Sequence, residues 1–402
     1  INRTMNVYQP NETTKLFDYC NTFFYIFGLK HFWVSDVALS QRFIKMYKKV
    51  EYLIIIVNIF FPVSILGSFF TQKNLTVEQS CDRLCFGITL PGNSLFNLYL
   101  LFYKAEIREI LYNLAVVLKV HQNDPELERE MIKKIKVFSV AFCSLVCTVI
   151  VSYGLGALFK VITAGENFTT IIPAWPDVLD TSIAAGVMRV IFYICWYIFG
   201  VTNLATYSLL VTLMLTICYQ FKNLHKYFYG LDSIFDDKSL CQAEKEIKYE
   251  QAFKIGIQMH SLTLWCMKRH QYVCKEIFAT ETILFFAIFL SQLATLLGSD
   301  HNLAELWTML IISLTIMIGL GFFMWNGGDI TVEASKLSDA MYSSGWENCY
   351  GQSSFRIRKL VVNAMRQAQE PVVYKTLGVM DLSYEAYVTL VKMPYTAVSV
   401  FY

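Results

Sequence analysis

The stretch that decides the fold is YLIIIVNIFFPVSILGSFFT, residues 52–71, which contains no Asp, Glu, Lys or Arg. A helix needs about 20 apolar residues to cross the hydrocarbon core of a bilayer, and this stretch has that length. Basic residues precede it closely, at Arg42, Lys45, Lys48 and Lys49. We therefore expect a membrane-spanning helix whose N-terminal end lies on the side of the membrane where positive charge accumulates.

The composition of the whole chain also indicates a membrane protein. Of 402 residues, 55% are hydrophobic and only 16% are charged, against about 25% charged in a soluble domain. The net charge of +2 gives no indication of nucleic-acid binding. Six further stretches resemble the first, although the last holds Asp381, Glu385 and Lys392. The sequence predicts an all-α membrane protein with seven transmembrane helices, at residues 52–71, 85–103, 137–159, 190–221, 282–297, 306–325 and 377–402.

The distribution of Lys and Arg predicts the orientation of these helices. Of 34 such residues, 29 lie before the first span or in every second connection, and only four lie in the other connections. Positive charge concentrates on the cytosolic side, so the N-terminus should be cytosolic and, after seven spans, the C-terminus extracellular. The chain then divides into a cytosolic N-terminal segment (1–51), six helices with extended inner loops (52–325), a cytosolic segment (326–376) and a seventh helix (377–402).

Two N-glycosylation motifs agree with this orientation. Asn74 and Asn167 each begin an Asn-x-Thr motif in a connection that is predicted to be extracellular. Asn2 and Asn11 begin the same motif in the predicted cytosolic segment, where we expect no glycan. Asn74 and Asn167 are therefore the predicted glycosylation sites.

The C-terminal part of the chain resembles the signature of insect odorant receptors. The segments GGDITVEASKLSDAMYSSGW (327–346), RKLVVNAMRQAQEP (358–371) and LVKMPYTAV (390–398) follow the order of that signature. Pro394 departs from it, because the family often has serine there. Seven spans, a cytosolic N-terminus and the chain length extend the likeness to the whole chain. The matching positions are Gly327, Glu333, Ser335, Ala340, Tyr342, Ser344, Trp346, the run 366–369, Lys392, Tyr395 and Thr396.

This resemblance implies an odorant-gated, non-selective cation channel and not an enzyme. The family comprises ligand-tuned receptors and one longer co-receptor, and the short second inner loop of this chain resembles the tuned kind. The likeness further implies a heterotetramer with the co-receptor in the plasma membrane of olfactory sensory neuron dendrites. The implied ligand is a small volatile organic molecule, and the aromatic content mildly favours an aromatic one. No cofactor is implied.

The resemblance places the ligand pocket in the outer halves of spans two to six. Such pockets have apolar walls and a few polar groups. Packing is the commoner role for aromatic residues in a span, and it remains the alternative for each candidate. Gly156 has Ser152 and Phe159 beside it and leaves room for a cavity. The candidate ligand contacts are Phe86, Leu90, Ser152, Tyr153, Gly156, Phe159, Phe192, Trp196 and Tyr197.

The inner segment after the sixth span holds the residues that the resemblance assigns to subunit contact, which are Ala340, Tyr342 and Trp346. Tyr342 and Trp346 lie four residues apart. Residues with that spacing share one face of a helix. We expect them to form a buried packing pair on a single inner helix.

The resemblance implies that the seventh span lines the pore. Lys392 precedes Tyr402 by ten residues, about 15 Å along a helix, which is half the hydrocarbon thickness. A lysine at that depth needs water or a partner, and Glu385 is the candidate partner two turns away. Tyr395, Val398 and Tyr402 share its helix face. We expect Lys392 in a water-filled vestibule that ends in an apolar constriction near Val398 and Tyr402.

The sequence offers little support for metal binding or catalysis. Cys266, His270 and Cys274 lie on one helix face, and His260 would be a fourth zinc ligand. Zinc sites favour cysteine pairs across a turn, so helix packing is the favoured interpretation of this motif and no metal site is predicted. Walker A, nucleophile-elbow and Rossmann motifs are all missing.

Two other receptor classes remain as alternatives. A gustatory receptor channel of the same superfamily usually ends in a Thr-Tyr…Gln-Phe motif, which this chain lacks. A G-protein-coupled receptor has the opposite orientation. It also has Asp-Arg-Tyr and Asn-Pro-x-x-Tyr motifs, which are missing here.

Overall fold

The computed structural model describes residues 8–35, 37, 39–298, 303–376, 378 and 380–401. A π-helical turn lies at Asn113–Val117, and 3-10 turns lie at Leu231–Asp236 and Trp346–Asn348. The α-helices of the described chain are α1 (Glu12–Ile26), α2 (Gln41–Thr71), α3 (Val77–Phe102), α4 (Lys104–Tyr112), α5 (Leu118–His121), α6 (Pro125–Ala164), α7 (Ile183–Gly230), α8 (Gln242–Gly298), α9 (Leu303–Ser335), α10 (Leu337–Tyr342), α11 (Ser354–Ala368) and α12 (Tyr384–Phe401).

Five helical stretches of the described residues are long and apolar enough to cross a membrane. They contain the predicted first, second, third, fourth and sixth spans. The predicted fifth span lies in α8, and the predicted seventh span corresponds to α12; neither helix is among the five. The predicted start of the seventh helix at residue 377 is wrong, because Met380–Asp381 form a strand and the helix begins at Tyr384. Glu281 and Gln292 interrupt the apolar part of α8, and Glu385 and Lys392 interrupt α12. The five stretches are Gln41–Thr71, Gln79–Phe102, Pro125–Ala164, Ile183–Asp236 and Leu306–Asn348.

The outside of the bundle is apolar, as a lipid environment requires. On α2, the side chains of Leu53, Ile56, Ile59 and Val63 are all exposed. Soluble monomers rarely expose continuous apolar patches of this kind. The chain is therefore a multi-pass membrane protein with several apolar helices.

The central helix of the bundle is α7. Between Leu204 and Phe221 almost every side chain is buried, because α2, α3, α6, α8 and α9 all pack against this helix. Asn97 on α3 is buried beside it and donates a hydrogen bond to the Asn203 Oδ1 at 3.1 Å. Thr206 donates to the Asn97 Oδ1. This satisfied polar network fixes the register between α3 and α7.

The expectation of an all-α fold holds except for one short pair of strands in the described chain. Strand β1 (Lys375–Thr376) pairs antiparallel with β2 (Met380–Asp381) in the segment between α11 and α12. Two residues per strand add little to stability on their own. Their role is to turn the chain back toward the start of α12.

Two glycines in α9 let this returning segment pass close to the helix. A Cβ on Gly327 would lie 2.6 Å from the Leu382 Cβ, and one on Gly328 would lie 3.0 Å from the ring of Tyr384. Any larger side chain would therefore push the segment away. The Tyr384 hydroxyl donates to the Asp329 carboxylate, which ties the start of α12 to α9.

The prediction that Tyr342 and Trp346 lie on one helix is wrong. Helix α10 ends at Tyr342, and Trp346 begins a 3-10 turn after Gly345. Gly345 has a φ of +85°, and a Cβ there would lie 2.3 Å from the Asp232 Oδ1, so only glycine allows this turn. The two rings still meet edge to face at 6.1 Å, and the Trp346 indole N–H donates to the Tyr342 carbonyl at 2.8 Å.

This aromatic pair is also less buried than expected. Ala340 is fully buried, whereas Tyr342 is 59% exposed and Trp346 is half-buried. The rings lie at the surface because the chain turns outward after α10. The pair therefore leaves aromatic surface open in a single subunit.

The connection 165–182 covers the end of the bundle where α2 ends and α3 begins, which the predicted orientation makes the outer end. Gln72 is buried there and donates to the carbonyls of Pro173 and Pro176 at 3.1 and 2.9 Å. The Arg189 guanidinium donates to three further carbonyls of the same connection. These bonds hold the connection against the helices, so that it covers this end of the bundle.

The cysteine and histidine motif of α8 belongs to the packed interior. Cys266, His270 and Cys274 are fully buried, and the His270 Nδ1 lies 3.0 Å from the Tyr374 hydroxyl. Burial lowers the pKa of His270 to about 3 and the pKa of His260 to about 4, so both rings are neutral at physiological pH. Within the described ranges, no three metal-ligating side chains come together. Helix packing accounts for the motif.

Candidate ligand cavity and pore helix

Two adjoining cavities lie among α3, α6, α7, α8 and α9. The larger one, the inner cavity, has a volume of about 220 Å³. The smaller one, the outer cavity, measures about 120 Å³ and lies nearer the outer end of the bundle. A cavity of about 150 Å³ lined by Leu, Ile and Phe holds benzene. The inner cavity therefore has room for a compact organic molecule that is larger than a single ring.

The inner cavity is walled mainly by apolar and aromatic side chains. Phe86, Leu90, Tyr153 and Trp196 all line it, and the sequence predicts all four as ligand contacts. Phe86, Tyr153 and Trp196 form edge-to-face pairs with ring centroids 5.2 to 5.6 Å apart. Such pairs are rigid and give the cavity a defined shape. Further aromatic walls come from Phe142, Phe199, Tyr207 and Phe285.

Few polar side chains reach the inner cavity. No lysine or arginine lines it within the part of the chain that the structure describes. A small number of polar groups on apolar walls is the usual composition of a site for a small organic ligand, because those groups fix its orientation. The polar lining residues are Thr89, Asn93, Asn203, Tyr207, Glu281 and Thr315.

The outer cavity contains the remaining part of the predicted cluster on α6. Ser152, Gly156 and Phe159 line it together with Tyr153. A Cβ on Gly156 would meet no atom within 4 Å, so this glycine borders open space. The other walls are more polar than those of the inner cavity and include Asp82, Lys160, Ser291, Gln292 and Thr308.

Tyr153 separates the two cavities. Its side chain lines both of them, as does Cys85. The Tyr153 hydroxyl donates to the Asp82 carboxylate at 3.3 Å, while its ring packs against Phe86 and Trp196. Tyr153 therefore lies at the boundary between the two cavities, together with Cys85 and Ile312.

Two predicted ligand contacts, Phe192 and Tyr197, line neither cavity. Phe192 lies one turn before Trp196, where α7 packs on α2, and its ring is 6.2 Å from that of Phe61. Tyr197 follows Trp196 and therefore points about 100° away around the helix. It is 41% exposed, and its hydroxyl lies 3.8 Å from the Cys147 Sγ. Neither cavity therefore supports a ligand contact at these two positions.

Helix α12 presents one face to α9. The Tyr387 hydroxyl donates to the Met317 carbonyl at 3.2 Å, and the Tyr387 ring meets the ring of Trp325 at 5.2 Å. Leu390, one turn further on, is buried. This face holds α12 against its own subunit.

The opposite face of α12 is a polar stripe. Glu385, Thr389, Lys392 and Thr396 are all exposed, and spacings of three and four residues place them on one side of the helix. Lys392 is therefore directed away from the rest of the chain. Glu385 lies two turns back, about 10 Å along the axis, which is too far for a direct ion pair. Of the other predicted pore residues, the side chains of Tyr395 and Val398 and all of Tyr402 lie outside the described residues.

Comparison with known proteins identifies the family. The model of the family described as 7tm odorant receptor matches residues 76–395. The chain belongs to this family. The match confirms the resemblance seen in the C-terminal residues.

A solved structure shows the same fold as this odorant receptor. It is the insect olfactory receptor OR5 from Machilis hrabei, with a TM-score of 0.77 and 11% sequence identity over 97% of this chain and 99% of that chain. The structure of OR5 in complex with eugenol matches with the same values. None of the curated proteins matches this sequence.

The odorant receptor builds about a third of its inner cavity wall from α8 and α9, in which the sequence predicts no ligand contact. Glu281, Leu284, Phe285 and Ile288 line it from α8. Their spacing of three and four residues is that of one helix face, so a signal for a wall was present. This pattern is hard to recognise in the sequence because the predicted fifth span is short and begins beside a glutamate. Neither feature indicates which helix this face packs against.

The glycosylation motifs of the receptor differ in accessibility. Asn74 is exposed in the connection between α2 and α3. Asn167 is half-buried, and its amide donates to the Val178 carbonyl at 3.0 Å. Asn11 caps α1 and donates to the Ala115 carbonyl at 2.7 Å. Asn74 is therefore the best placed of the three for a glycan.

Proposed function

We propose that this odorant receptor is a ligand-tuned subunit of an odorant-gated, non-selective cation channel. The observation that carries the proposal is the inner cavity, a mainly apolar space with several aromatic walls inside a helix bundle of this family. Its volume and walls suit a small volatile molecule, and an aromatic one in particular. A receptor with the same fold has been solved with eugenol.

The ligand in this proposal enters through the outer cavity and binds in the inner one. Tyr153 would then act as the gate between them, since it lines both spaces. The proposed contacts are those predicted residues that line a cavity, namely Phe86, Leu90, Ser152, Tyr153, Gly156, Phe159 and Trp196.

The remaining parts of the proposal concern topology and assembly. The seven spans of the proposal rest on the apolar stretches of the sequence, and the cytosolic N-terminus and extracellular C-terminus rest on the distribution of positive charge. The subunit joins the odorant co-receptor in a heterotetramer in the plasma membrane of olfactory neuron dendrites. The polar stripe of α12 faces the pore of that assembly, because an exposed lysine in the middle of a span requires water.

Current recording from cells that express the receptor tests this function directly. A panel of volatile molecules that includes eugenol is applied to cells with the receptor and co-receptor together, and to cells with either one alone. We expect ligand-evoked cation currents only from the pair. An absence of current from the pair throughout the panel would refute the proposal, and an N-terminal tag that is accessible outside intact cells would refute the topology.

Replacement of Trp346 by alanine tests the assembly role of the inner segment. The Trp346 and Tyr342 rings are partly open in a single subunit, and tryptophan is enriched among the residues that dominate protein interfaces. We expect Trp346→Ala to lower co-purification with the co-receptor severalfold. Trp307→Ala at the exposed outer end of α9 is the matched control and should have no such effect. Unchanged co-purification and surface expression of Trp346→Ala would contradict the prediction.

A further inference from the structure

Glu281 is a buried carboxyl group in the wall of the inner cavity. Its side chain belongs to α8, and the residue is only 9% exposed. Tyr207, also in the cavity wall, lies beside this carboxyl group. The Glu281 Oε1 has no hydrogen-bond partner among the residues that the structure describes. A buried acceptor without a donor costs free energy, so it marks a place where a ligand group can bind.

The surroundings of Glu281 do not supply a compensating charge. Neither Lys nor Arg lines the inner cavity in the described chain. An isolated carboxylate inside an apolar bundle is strongly disfavoured. The group is therefore held as a neutral acid until something with a suitable donor or positive charge arrives.

A second acceptor without a partner lies on the facing helix. Asn93 of α3 lines the same cavity, and its Oδ1 finds no donor within the described residues. The two helices are in close contact at this level, because a Cβ on the neighbouring Gly92 would lie 3.3 Å from Leu284 and 3.4 Å from Thr280. Two helices thus bring two oxygen atoms without a hydrogen-bond partner to one cavity. A neutral acid carries its single proton on one oxygen, so its other oxygen remains an acceptor for a donor that a ligand can supply.

The geometry points to a class of ligand, and this inference rests on the proposed function. We infer that the inner cavity selects a compact, mainly apolar molecule with one hydrogen-bond donor, either a hydroxyl or a primary amine. The apolar body packs against Phe86, Trp196 and Phe285, and the donor bonds to Glu281. The terminal torsion of a glutamate is soft, so either carboxyl oxygen can turn toward the ligand. Glu281 is then the residue that determines specificity.

The two donor types differ in what they require of Glu281. A hydroxyl donates to the carbonyl oxygen of the neutral acid and needs only an acceptor. A primary amine binds as the ammonium ion, so Glu281 must be the carboxylate, and its proton is released to water or to the amine. An amide in place of the acid preserves the first interaction and removes the second.

Current recording with three probes of one carbon skeleton tests this inference. The probes are 2-phenylethanol, 2-phenylethylamine and ethylbenzene, applied to the receptor together with the co-receptor. In Glu281→Leu, we expect the effective concentration of a donor-bearing probe to rise by about tenfold or more, with ethylbenzene unaffected. Glu281→Gln should keep the response to the alcohol and lose the response to the amine. Glu276→Leu, on the exposed part of the same helix and outside the inner cavity, is the matched control.

The possible outcomes separate this inference from the proposed function. If Glu281→Leu changes the effective concentrations of donor-bearing and donor-free ligands by the same factor, the inference is wrong and the channel function stands. The same holds if all active ligands of the wider panel lack a donor. If no ligand of that panel evokes a current, the proposed function fails and the inference fails with it. Surface labelling and currents from a co-receptor agonist confirm that each variant has folded and assembled.

Discussion

Replacement of Gly156 by leucine should abolish the response to the best odorant or raise its effective concentration severalfold. Gly156 lines the outer cavity, and a Cβ there would meet nothing within 4 Å. A leucine side chain therefore enters the open space without disturbing the packing of α6. The outer cavity is the smaller of the two, and the added side chain would narrow it. The ligand would lose its path to Tyr153 and to the inner cavity.

A second glycine on the same bundle provides a matched control. Gly186 on α7 also has no atom within 4 Å of an added Cβ, but it lines neither cavity. Gly186→Leu adds the same apolar volume and should leave the dose–response curve unchanged. Currents evoked by a co-receptor agonist should persist in both variants. Equal curves for Gly156→Leu and the wild type would place the ligand path elsewhere.

Reversal of the charge at Lys392 should change ion permeation and leave odorant sensitivity almost unchanged. Lys392 is exposed in the middle of α12, on the polar stripe that faces away from its own subunit. A positive charge in a cation pathway repels the permeating ions, and its effect is local because salt screens charges beyond about 8 Å. Lys392→Glu should therefore raise divalent permeability or alter block by pore cations. Co-receptor subunits contribute to the same ring and dilute the effect.

Cysteine substitutions on the two faces of α12 provide the control for this prediction. Thr389 is exposed on the polar stripe, whereas its neighbour Leu390 is buried against the rest of the subunit. We expect Thr389→Cys to react with a charged thiol reagent, faster in the presence of odorant, and Leu390→Cys to remain unmodified. Val398→Cys, one predicted constriction residue, should behave like Thr389→Cys. If Lys392→Glu leaves selectivity and block unchanged and neither Thr389→Cys nor Val398→Cys reacts, Lys392 is a packing residue outside the pore.

The sequence alone determined those features that depend on neighbouring residues in the chain. Apolar stretches of sufficient length predicted seven spans, and five of these lie in helices that are long and apolar enough to span a membrane. The residue types around Gly327 and Lys392 predicted the family, which the match to residues 76–395 confirms. These features are local because hydropathy, helix length and motif spacing can be read along the chain without knowledge of its contacts.

Only the tertiary structure decided which side chains meet. Phe86 and Trp196 line the inner cavity while Phe192 packs against α2, although all three are aromatic residues at similar predicted depth. Trp346 follows the helix of Tyr342 at a turn where Gly345 has a positive φ, and Asp232, more than a hundred residues away in the chain, leaves no room there for a Cβ. The same is true of Glu281, which is an unremarkable acid in the sequence and a buried group of the cavity wall in the fold. The direction in which a side chain points is set by the rotation and register of its helix against four or five others, and those depend on packing among residues far apart in the sequence.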